Sequence, residues 1–337
     1  MPLYKLLQRF IIRVVFEKSG VSLNGRALDC ESRGVRVRVL LSGQITLLEY
    51  FNKNLYKMES NTQYFFRLLK ENFFSFRGVD NSVNISFKND KGLSVMTFNI
   101  RRDTPNDGDN NWQYRREHVV EMISYYQPDV ICFQEVMPTM AKYLIHKLSN
   151  YYDNAGVENF TNREMRKCNL VFGEGLFTMW RKDKFNFVGK KVVKIFDGRK
   201  INLRRFMDVT LNHNGKELHV INTHFCHISV DARNASFKKI YEHVKDFKEF
   251  YICGDFNTDK TYKNTDITIF TNNFSYNYKK VDSDTTINFF GKRKSLDIID
   301  YVFSNNVIVD ENIIYGYGDC KYMSDHNPVI VKYDDVC

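Results

Sequence analysis

The chain has 337 residues, of which 43% are hydrophobic and 26% are charged, and its formal net charge is +9. This composition is typical of a globular protein and excludes disordered, collagen-like and disulfide-knotted chains. The charge is unevenly spread, since residues 1–91 hold 15 Lys and Arg against 8 Asp and Glu.

The N-terminal quarter, residues 1–91, predicts a basic, mostly helical extension of unknown role. Its start is apolar but interrupted by Lys and Arg, which favours an amphipathic segment, with a mitochondrial presequence as the alternative. Residues 45–76 place Leu and Phe at roughly helical spacing, which predicts one or two helices with an apolar face. That face would pack on the main domain, on a partner or against a membrane. Residues 77–91 predict a polar connection with a short strand, VNISF.

From Leu93 onward, short β-rich runs alternate with helical patterns. One helix, RREHVVEMISYY, is predicted to stop before Pro128, and another is predicted over residues 231–249. The alternation predicts an α/β layered domain over residues 92–337. The predicted strands are LSVMTFNI, DVICFQE, GLFTMWR, LHVINTHF, FYICGDFN, IDYVF and PVIVKY.

The seven cysteines are scattered and include no C-x-x-C pair. This spacing argues against a zinc site and a disulfide framework, and it favours a reducing compartment. We therefore expect an intracellular protein, cytoplasmic or nuclear, with a mitochondrial location as the alternative. No run of residues is apolar and long enough for a membrane span. The oligomeric state is left open.

Polar residues recur where the predicted strands stop, and a single such residue is usually only a turn residue. Several carboxylates gathered at one sheet edge would repel each other unless a cation compensated them. Oxygen ligands favour Mg²⁺, with Mn²⁺ as the alternative, over zinc. With histidines and amides nearby, this set predicts a metal-assisted phosphoester hydrolase. The residues are Asn99, Glu135, Asn222, His224, Asp255, Asn257, Asp300, Asp325 and His326.

The residues in these segments, and the order of the segments along the chain, resemble those of the endonuclease/exonuclease/phosphatase (deoxyribonuclease-I-like) superfamily. The segments are TFN, QE, NTH, GDFN, IDYVF and SDHNPV. TFNIRRD followed by NNWQYRREHVV is most similar to the TFNIR-type metal-dependent hydrolases. The resemblance covers about residues 92–337. It implies an α/β sandwich of two packed mixed β-sheets flanked by helices, and attack by an activated water.

The resemblance also implies how the metal and the water are held. Glu135 would be the principal metal ligand, and Asp325 would help hold the metal or orient the neighbouring histidine. Asp255 would activate the attacking water, and Asn257 would orient it against phosphorus. Asn99 would bond the phosphate or a metal-bound water.

The remaining implied roles concern the phosphate. His326 would contact the scissile phosphate, with Asp300 positioning its other nitrogen. His224 matches a second histidine, a proton donor or phosphate ligand, which Glu174 would orient. Two further residues are expected to bind substrate, namely Arg205 and Asn222.

The substrate is the least determined part of this interpretation. A nucleic-acid phosphodiester is the first choice, and a phospholipid or inositol-phosphate headgroup is the alternative. A catalytically idle binding module is a further alternative of a different class, against which the intact set of site residues argues. The basic run at residues 291–294 would either flank the site or form a solvated loop.

Overall fold

The computed structural model describes residues 83–87, 92–158, 173–196, 204–278 and 281–334, together with a few positions between residues 30 and 71. The chain forms two compact units, Met1–Arg77 with Asn162–Val171, and Gly78–Thr161 with Phe172–Cys337. The predicted boundary between residues 91 and 92 stays a prediction.

The first unit contains a short antiparallel hairpin of β1 (Cys30–Ser32) and β2 (Val35–Val37). A few positions between residues 64 and 71 are helical, and Arg67 Nη1 lies 3.3 Å from Glu71 Oε2, one helical turn away. The apolar start and most of residues 45–76 lie outside the described residues, so the mostly helical character of the extension stays a prediction.

The second unit is built on two six-stranded sheets. The first sheet contains β3 (Leu93–Asn99), β4 (Val130–Val136), β5 (Tyr152–Glu158), β6 (Gly175–Arg181), β13 (Ile308–Ile313) and β14 (Val329–Tyr333). The second contains β7 (Asn186–Phe196), β8 (Arg204–His213), β9 (Lys216–His224), β10 (Phe250–Asp255), β11 (Ser275–Tyr276) and β12 (Asp300–Ser304).

Both sheets are mixed. Their strand orders are β13-β14-β3-β4-β6-β5 and β11-β12-β10-β9-β8-β7. Each sheet holds one parallel pair near its centre, β3 with β4 and β9 with β10, and its other neighbours are antiparallel. The two parallel pairs therefore carry the strand ends at which the sequence places polar residues.

Within the described residues, four α-helices accompany the sheets: α1 (Trp112–Tyr126), α2 (Pro138–Leu148), α3 (Val230–Val244) and the short α4 (Thr268–Thr271). The side chain of Asn111 caps α1 by accepting from Gln113 N, and α1 ends at Gln127, which adopts a left-handed conformation with φ 50°. Helix α3 ends five residues earlier than predicted, at Val244. Helix α2 was not predicted.

The main core lies between the sheets. Alternate residues of the first sheet, such as Val95 and Cys132, are buried in one cluster with Val209, Val220 and Cys253 of the second. This follows from the period of two in a strand, which sends every other side chain to the same face.

The outer faces of both sheets are buried as well. Phe237 on α3 packs against Phe256 and Phe270, with ring centroids 5.8 and 5.0 Å apart. Trp112 on α1 meets Tyr143 on α2 edge to face at 6.0 Å, and both are fully buried. These two packed mixed sheets with flanking helices confirm the predicted fold class.

The predicted strand VNISF does not form. Residues 83–87 have no regular secondary structure, and no strand in the described part of the chain pairs with them. The segment still packs within the second unit, of which it is part, since the Arg181 guanidinium stacks 3.6 Å over the Phe87 ring and Gln127 Nε2 donates to Ser86 O at 2.9 Å. Among the described residues, no helix combines the length and apolar character needed to cross a membrane.

Candidate active site

Three predicted site residues stand in one row across the second sheet. Asp255 ends β10 and is paired in register with His224, the last residue of the parallel strand β9. On its other side it is paired with Asp300, the first residue of the antiparallel strand β12. All three side chains are buried. Sheet pairing alone therefore assembles these residues from three distant parts of the sequence.

Asp255 is the centre of the site. Its Oδ2 accepts a hydrogen bond from Asn99 Nδ2 at 3.0 Å, and Asn99 comes from the facing sheet. His224 Nε2 lies 3.3 Å and His326 Nε2 lies 3.8 Å from the same oxygen. The other oxygen, Oδ1, accepts from the backbone N–H of Asn257 at 2.8 Å. Four other predicted site residues thus meet at the carboxylate of Asp255.

The surroundings of Asp255 suit a proton acceptor. Burial raises the pKa of this carboxyl to about 7, and the charge of Asp300 adds to the rise although His326 opposes it. A carboxylate with a pKa near neutrality takes a proton from water more readily than an ordinary aspartate. This is the property that a general base requires.

The two histidines are held in opposite charge states. Burial would lower the pKa of His326, but the charges of Asp300 and Asp255 outweigh it and raise this pKa well above its usual value. Asp300 Oδ2 accepts from His326 Nδ1 at 2.9 Å. Burial and the charges of Arg204 and His326 lower the pKa of His224 well below its usual value. One imidazole is therefore cationic and the other neutral.

Arg204 is a site residue that the sequence did not single out. It is buried, and its charge contributes to the lowered pKa of both His224 and His227. Its neighbour Arg205 was predicted to reach phosphate instead and is half-buried. The sequence shows only two adjacent arginines. Which of the two side chains lies near the site depends on how β8 is placed in the sheet. The phosphate contact of Arg205 stays a prediction.

A second group of acids lies at the mouth of the site with two arginines. Arg102 N donates to Glu135 Oε2 at 3.1 Å, and Arg101 Nη1 lies 3.6 Å from Asp325 Oδ2 and 4.0 Å from Glu135 Oε2. Glu174 Oε2 accepts from Arg102 Nη1 at 3.3 Å. The structure therefore places Glu174 against an arginine rather than against the histidine that it was predicted to orient.

The backbone is strained where these side chains emerge. Glu135, Asn257 and Arg101 adopt left-handed conformations, with φ values of 61°, 49° and 56°. Residues other than glycine rarely adopt this conformation, which costs of the order of 1–3 kcal/mol each. Such strain concentrates at functional sites. This strain could not be predicted from the sequence, because none of the three positions is a glycine.

Asn222 does not face the site. It is fully buried between the sheets, where its Nδ2 donates to Phe133 O and Phe177 O, both at 3.1 Å. Its Oδ1 accepts from Gln134 Nε2 at 2.9 Å. These side-chain bonds fasten one sheet to the other, so the predicted substrate contact at this residue is corrected to a structural one.

Arg115 on α1 holds the loops of the site and was also missed. Its buried guanidinium donates to Asn110 O at 2.6 Å, Ile100 O at 2.8 Å and Arg101 O at 3.1 Å, and to Met323 O. Burial lowers its pKa to about 10. The signal was present in the sequence, because Arg115 falls on the apolar face of the predicted helix.

These strand ends and the sequence motifs lead to one family. The sequence model of the Endonuclease/Exonuclease/phosphatase family matches residues 96–326. The chain belongs to this family. The protein is accordingly a phosphoester hydrolase, and the alternative of a catalytically idle module is set aside. The narrower TFNIR-type subgroup stays a prediction.

Known structures share the fold of this hydrolase at low sequence identity. An endonuclease/exonuclease/phosphatase from Bacteroides vulgatus is 24% identical with a TM-score of 0.63, over 73% of this chain and 99% of the other. A mannosyl-6-phosphatase from Bacteroides thetaiotaomicron is 22% identical with a TM-score of 0.59, over 71% of this chain and 98% of the other. D. rerio TDP2 complexed with single strand DNA product is 17% identical with a TM-score of 0.57, over 73% of this chain and 100% of the other. No curated protein matches the chain in sequence.

The acids at the mouth of the site fit a divalent cation, which this family generally uses. Burial and the nearby charge of Glu135 raise the pKa of Glu174, and the same two causes act on Asp325. This crowding of negative charge is what a hard cation relieves, and carboxylate oxygens are its preferred ligands. Glu135 and Asp325 are also accessible, with side chains 15% and 16% exposed.

A deeper cluster of Asp255, Asp300 and His326 also has ligand-type atoms within 4.8 Å of one another. It suits proton transfer better than metal binding. The ring of His326 is kept protonated and both its nitrogens face carboxylates, so it has no lone pair to offer a cation. The acids at the mouth of the site can therefore hold a metal, whereas the deeper cluster can transfer a proton.

Proposed function

We propose that the protein is a Mg²⁺-dependent phosphodiesterase that cleaves nucleic acid through an activated water. The observation that carries the proposal is the convergence of Asn99, His224 and His326 on Oδ2 of Asp255. The site offers a base with a raised pKa beside a cationic imidazole and a cluster of oxygen ligands. Each of the three lowers the barrier to hydrolysis of a phosphodiester.

In this mechanism the residues of the chain position the water and the phosphate. Asp255 takes a proton from the attacking water, while the backbone of Asn257 holds the other oxygen of that carboxylate in place. His326 donates from Nε2 to a phosphate oxygen and stabilises the charge that develops there, with Asp300 keeping it protonated. His224, being neutral, hydrogen-bonds the phosphate without adding charge.

Glu135 and Asp325 would hold the magnesium ion, which when bound polarises a phosphoryl oxygen and offsets negative charge on the phosphate. Mn²⁺ is the alternative ion, because it accepts the same oxygen ligands. The Arg101 guanidinium already faces these acids with positive charge, and the Arg102 guanidinium lies beside the neighbouring Glu174. They are placed to meet the anionic substrate beside the metal.

A second candidate is a phosphate monoester or diester of a smaller molecule, such as an inositol phosphate or a phospholipid headgroup. The observation in its favour is that a sugar phosphatase, the Bacteroides thetaiotaomicron mannosyl-6-phosphatase, shares the fold with a TM-score of 0.59. The D. rerio TDP2 structure with single strand DNA product has a similar score of 0.57. Fold similarity alone does not decide between these substrates.

A substrate panel tests the proposal. Wild-type protein is assayed with Mg²⁺ or EDTA on a single-stranded oligonucleotide, an inositol phosphate and phospholipid vesicles. We expect magnesium-dependent cleavage of the oligonucleotide that Asp255→Ala abolishes and the exposed control Asp246→Ala retains. Cleavage of inositol phosphate or lipid alone would favour the second candidate. Hydrolysis that survives both EDTA and Asp255→Ala would contradict the metal-dependent mechanism.

A further inference from the structure

A basic loop, residues 288–294 with sequence NFFGKRK, lies directly beside the catalytic histidine. The preceding residue, Ile287, forms an antiparallel bridge with His326. The backbone N–H groups of Asn288 and Phe289 both donate to Asp325 O, at 2.8 and 3.0 Å. The basic loop is therefore fastened to the segment that carries the predicted phosphate and metal contacts.

The conformation of the basic loop is tightly determined. Phe289 and Phe290 are both left-handed, with φ values of 51° and 54°, and Gly291 follows with φ 71°. A Cβ at Gly291 would come within 2.3 Å of the Tyr322 hydroxyl, so the loop packs closely on the segment before Asp325. Phe290 is buried, and the Arg115 guanidinium lies 5.7 Å from its ring. The residues that follow are turned outward.

The outward residues form an exposed cationic surface. The Arg293 guanidinium stacks on the Phe289 ring, 3.5 Å from its centroid. Arg293, Lys292 and Lys294 are all exposed, and within the described part of the chain none of the three forms an ion pair. Arg101 and Arg102 differ, because both pair with acids of the site. The three cations of the basic loop are thus available to an external anion.

We propose that the basic loop binds the nucleic-acid strand that flanks the scissile phosphate. The outer face of the Arg293 guanidinium stacks on one base, and Lys292 and Lys294 contact the phosphates on either side of it. This assignment rests on the proposed function and names the part of the substrate that the loop recognises.

The chemistry of the surface favours a strand of nucleic acid over a lipid headgroup. A guanidinium held flat by an aromatic ring presents a planar face that matches the π-face of any base. Lysines beside such a stacking platform are the usual means of following a single-stranded phosphate backbone. A lipid headgroup offers charge but no planar partner for Arg293.

Binding measured without turnover tests the proposal separately from catalysis. A labelled ten-nucleotide single strand is titrated in EDTA with the full chain and with the variant Lys292→Ala/Arg293→Ala/Lys294→Ala, and fluorescence anisotropy is recorded. We expect Kd to rise about tenfold or more in the variant. The slope of log Kd against log salt should become shallower by about 1.4, since each single-strand phosphate contact contributes about 0.7.

A variant with the same loss of charge elsewhere serves as the control. Lys239→Ala/Lys245→Ala/Lys248→Ala removes three exposed lysines on and after α3, towards the start of β10 rather than its catalytic end. It should bind the strand within about twofold of wild type, because these lysines lie away from the path of the strand. Equal losses of affinity in both triple variants would overturn the proposal, since total charge alone would then explain binding.

The stacking contact has its own test. Arg293→Lys keeps the charge but loses the planar face, so it should weaken binding of the normal strand and leave binding of an abasic strand unchanged. Equal effects on both strands would overturn the stacking assignment. If the loop variant lost binding to phosphatidylserine vesicles and kept its affinity for the oligonucleotide, a membrane partner would replace nucleic acid.

The two proposals fail in different ways. If the wild type binds the strand through the basic loop but hydrolyses none of the tested substrates with Mg²⁺, the proposed function fails and the loop assignment stands. If the wild type cleaves the strand and the loop variant binds and cleaves it equally well, the loop assignment fails and the function stands.

Discussion

At the scale of single residues, the site depends on how charge is divided among buried groups. Asp255 and Asp300 would be unfavourable neighbours in a dry interior, and His326 between them carries the compensating positive charge. His224, one strand away, stays neutral because burial and the positive charges of Arg204 and His326 lower its pKa. The two histidines therefore differ in charge state, although both appear in the sequence simply as histidines at strand ends.

Removing the Asp300 charge tests this division. Asp300→Asn should let the pKa of His326 fall, so that the cationic donor to the phosphate is lost. We expect kcat to decrease about 10²–10³-fold with a smaller change in KM. Steady-state kinetics and thermal unfolding are measured together, with exposed Asp282→Asn as the control. A folded Asp300→Asn protein with wild-type kcat would show that the imidazolium is not needed.

At the scale of elements, one polar cluster ties α3 to the second sheet. Asp208 on β8 accepts from His219 Nδ1 at 3.0 Å and from His243 Nε2 on α3 at 2.9 Å. Burial opposes ionisation of Asp208, but these two bonds lower its pKa overall. The same contact raises the pKa of His219 against the effect of burial.

The cluster predicts a pH-dependent contribution to stability. The lowered pKa of Asp208 stabilises the fold above about pH 4, and the raised pKa of His219 does so below about pH 6.5 and less as pH rises further. Asp208→Asn should therefore cost about 1–3 kcal/mol near pH 5.5 and less at pH 9. Urea unfolding at both pH values measures this. A cost that is equal at both values, or greater at pH 9, would refute the linkage.

Helix α1 acts on the site through Arg115, whose guanidinium holds the loops after β3 and before β14. Arg115→Met keeps much of the volume but leaves several buried carbonyls without a donor. We expect a loss of about 2–4 kcal/mol in unfolding free energy and about 10²-fold in kcat, because small displacements of catalytic groups are costly.

The neighbouring Arg116, which stacks on Tyr143 at 4.6 Å, provides the control for that experiment. Arg116→Met should leave kcat near the wild-type value. Urea unfolding and steady-state kinetics are recorded for both variants. If Arg115→Met unfolded more easily but kept full kcat in its folded form, Arg115 would stabilise the helix without positioning the site.

At the scale of the whole molecule, the site forms where the facing sheets bring their strand ends together. Asn99 of the first sheet donates to Asp255 of the second, and to Glu135 of its own sheet at 3.4 Å. The buried amide of Asn222 fastens the same two layers just below. Catalysis therefore depends on the packing of the two sheets as much as on any single residue.

The sequence predicted the parts of this arrangement that follow from local patterns. Apolar runs closed by polar residues identified the strands and placed Asp255, Asp300 and His326 at their ends. The burial of Arg204 near His224 could not be predicted, because it depends on pairing between strands. The burial of Asn222 depends likewise on the facing sheet, and VNISF had the pattern of a strand without a partner to pair with.

The central claim is that Asp255 prepares the water that attacks phosphorus. Single-turnover cleavage of a labelled single-stranded oligonucleotide with saturating Mg²⁺, comparing wild type with Asp255→Asn, tests it most directly. Asn keeps the shape of the side chain but cannot take the proton, so the account predicts a rate at least about 10³-fold lower with the oligonucleotide still bound. A rate within about twofold of wild type would contradict it.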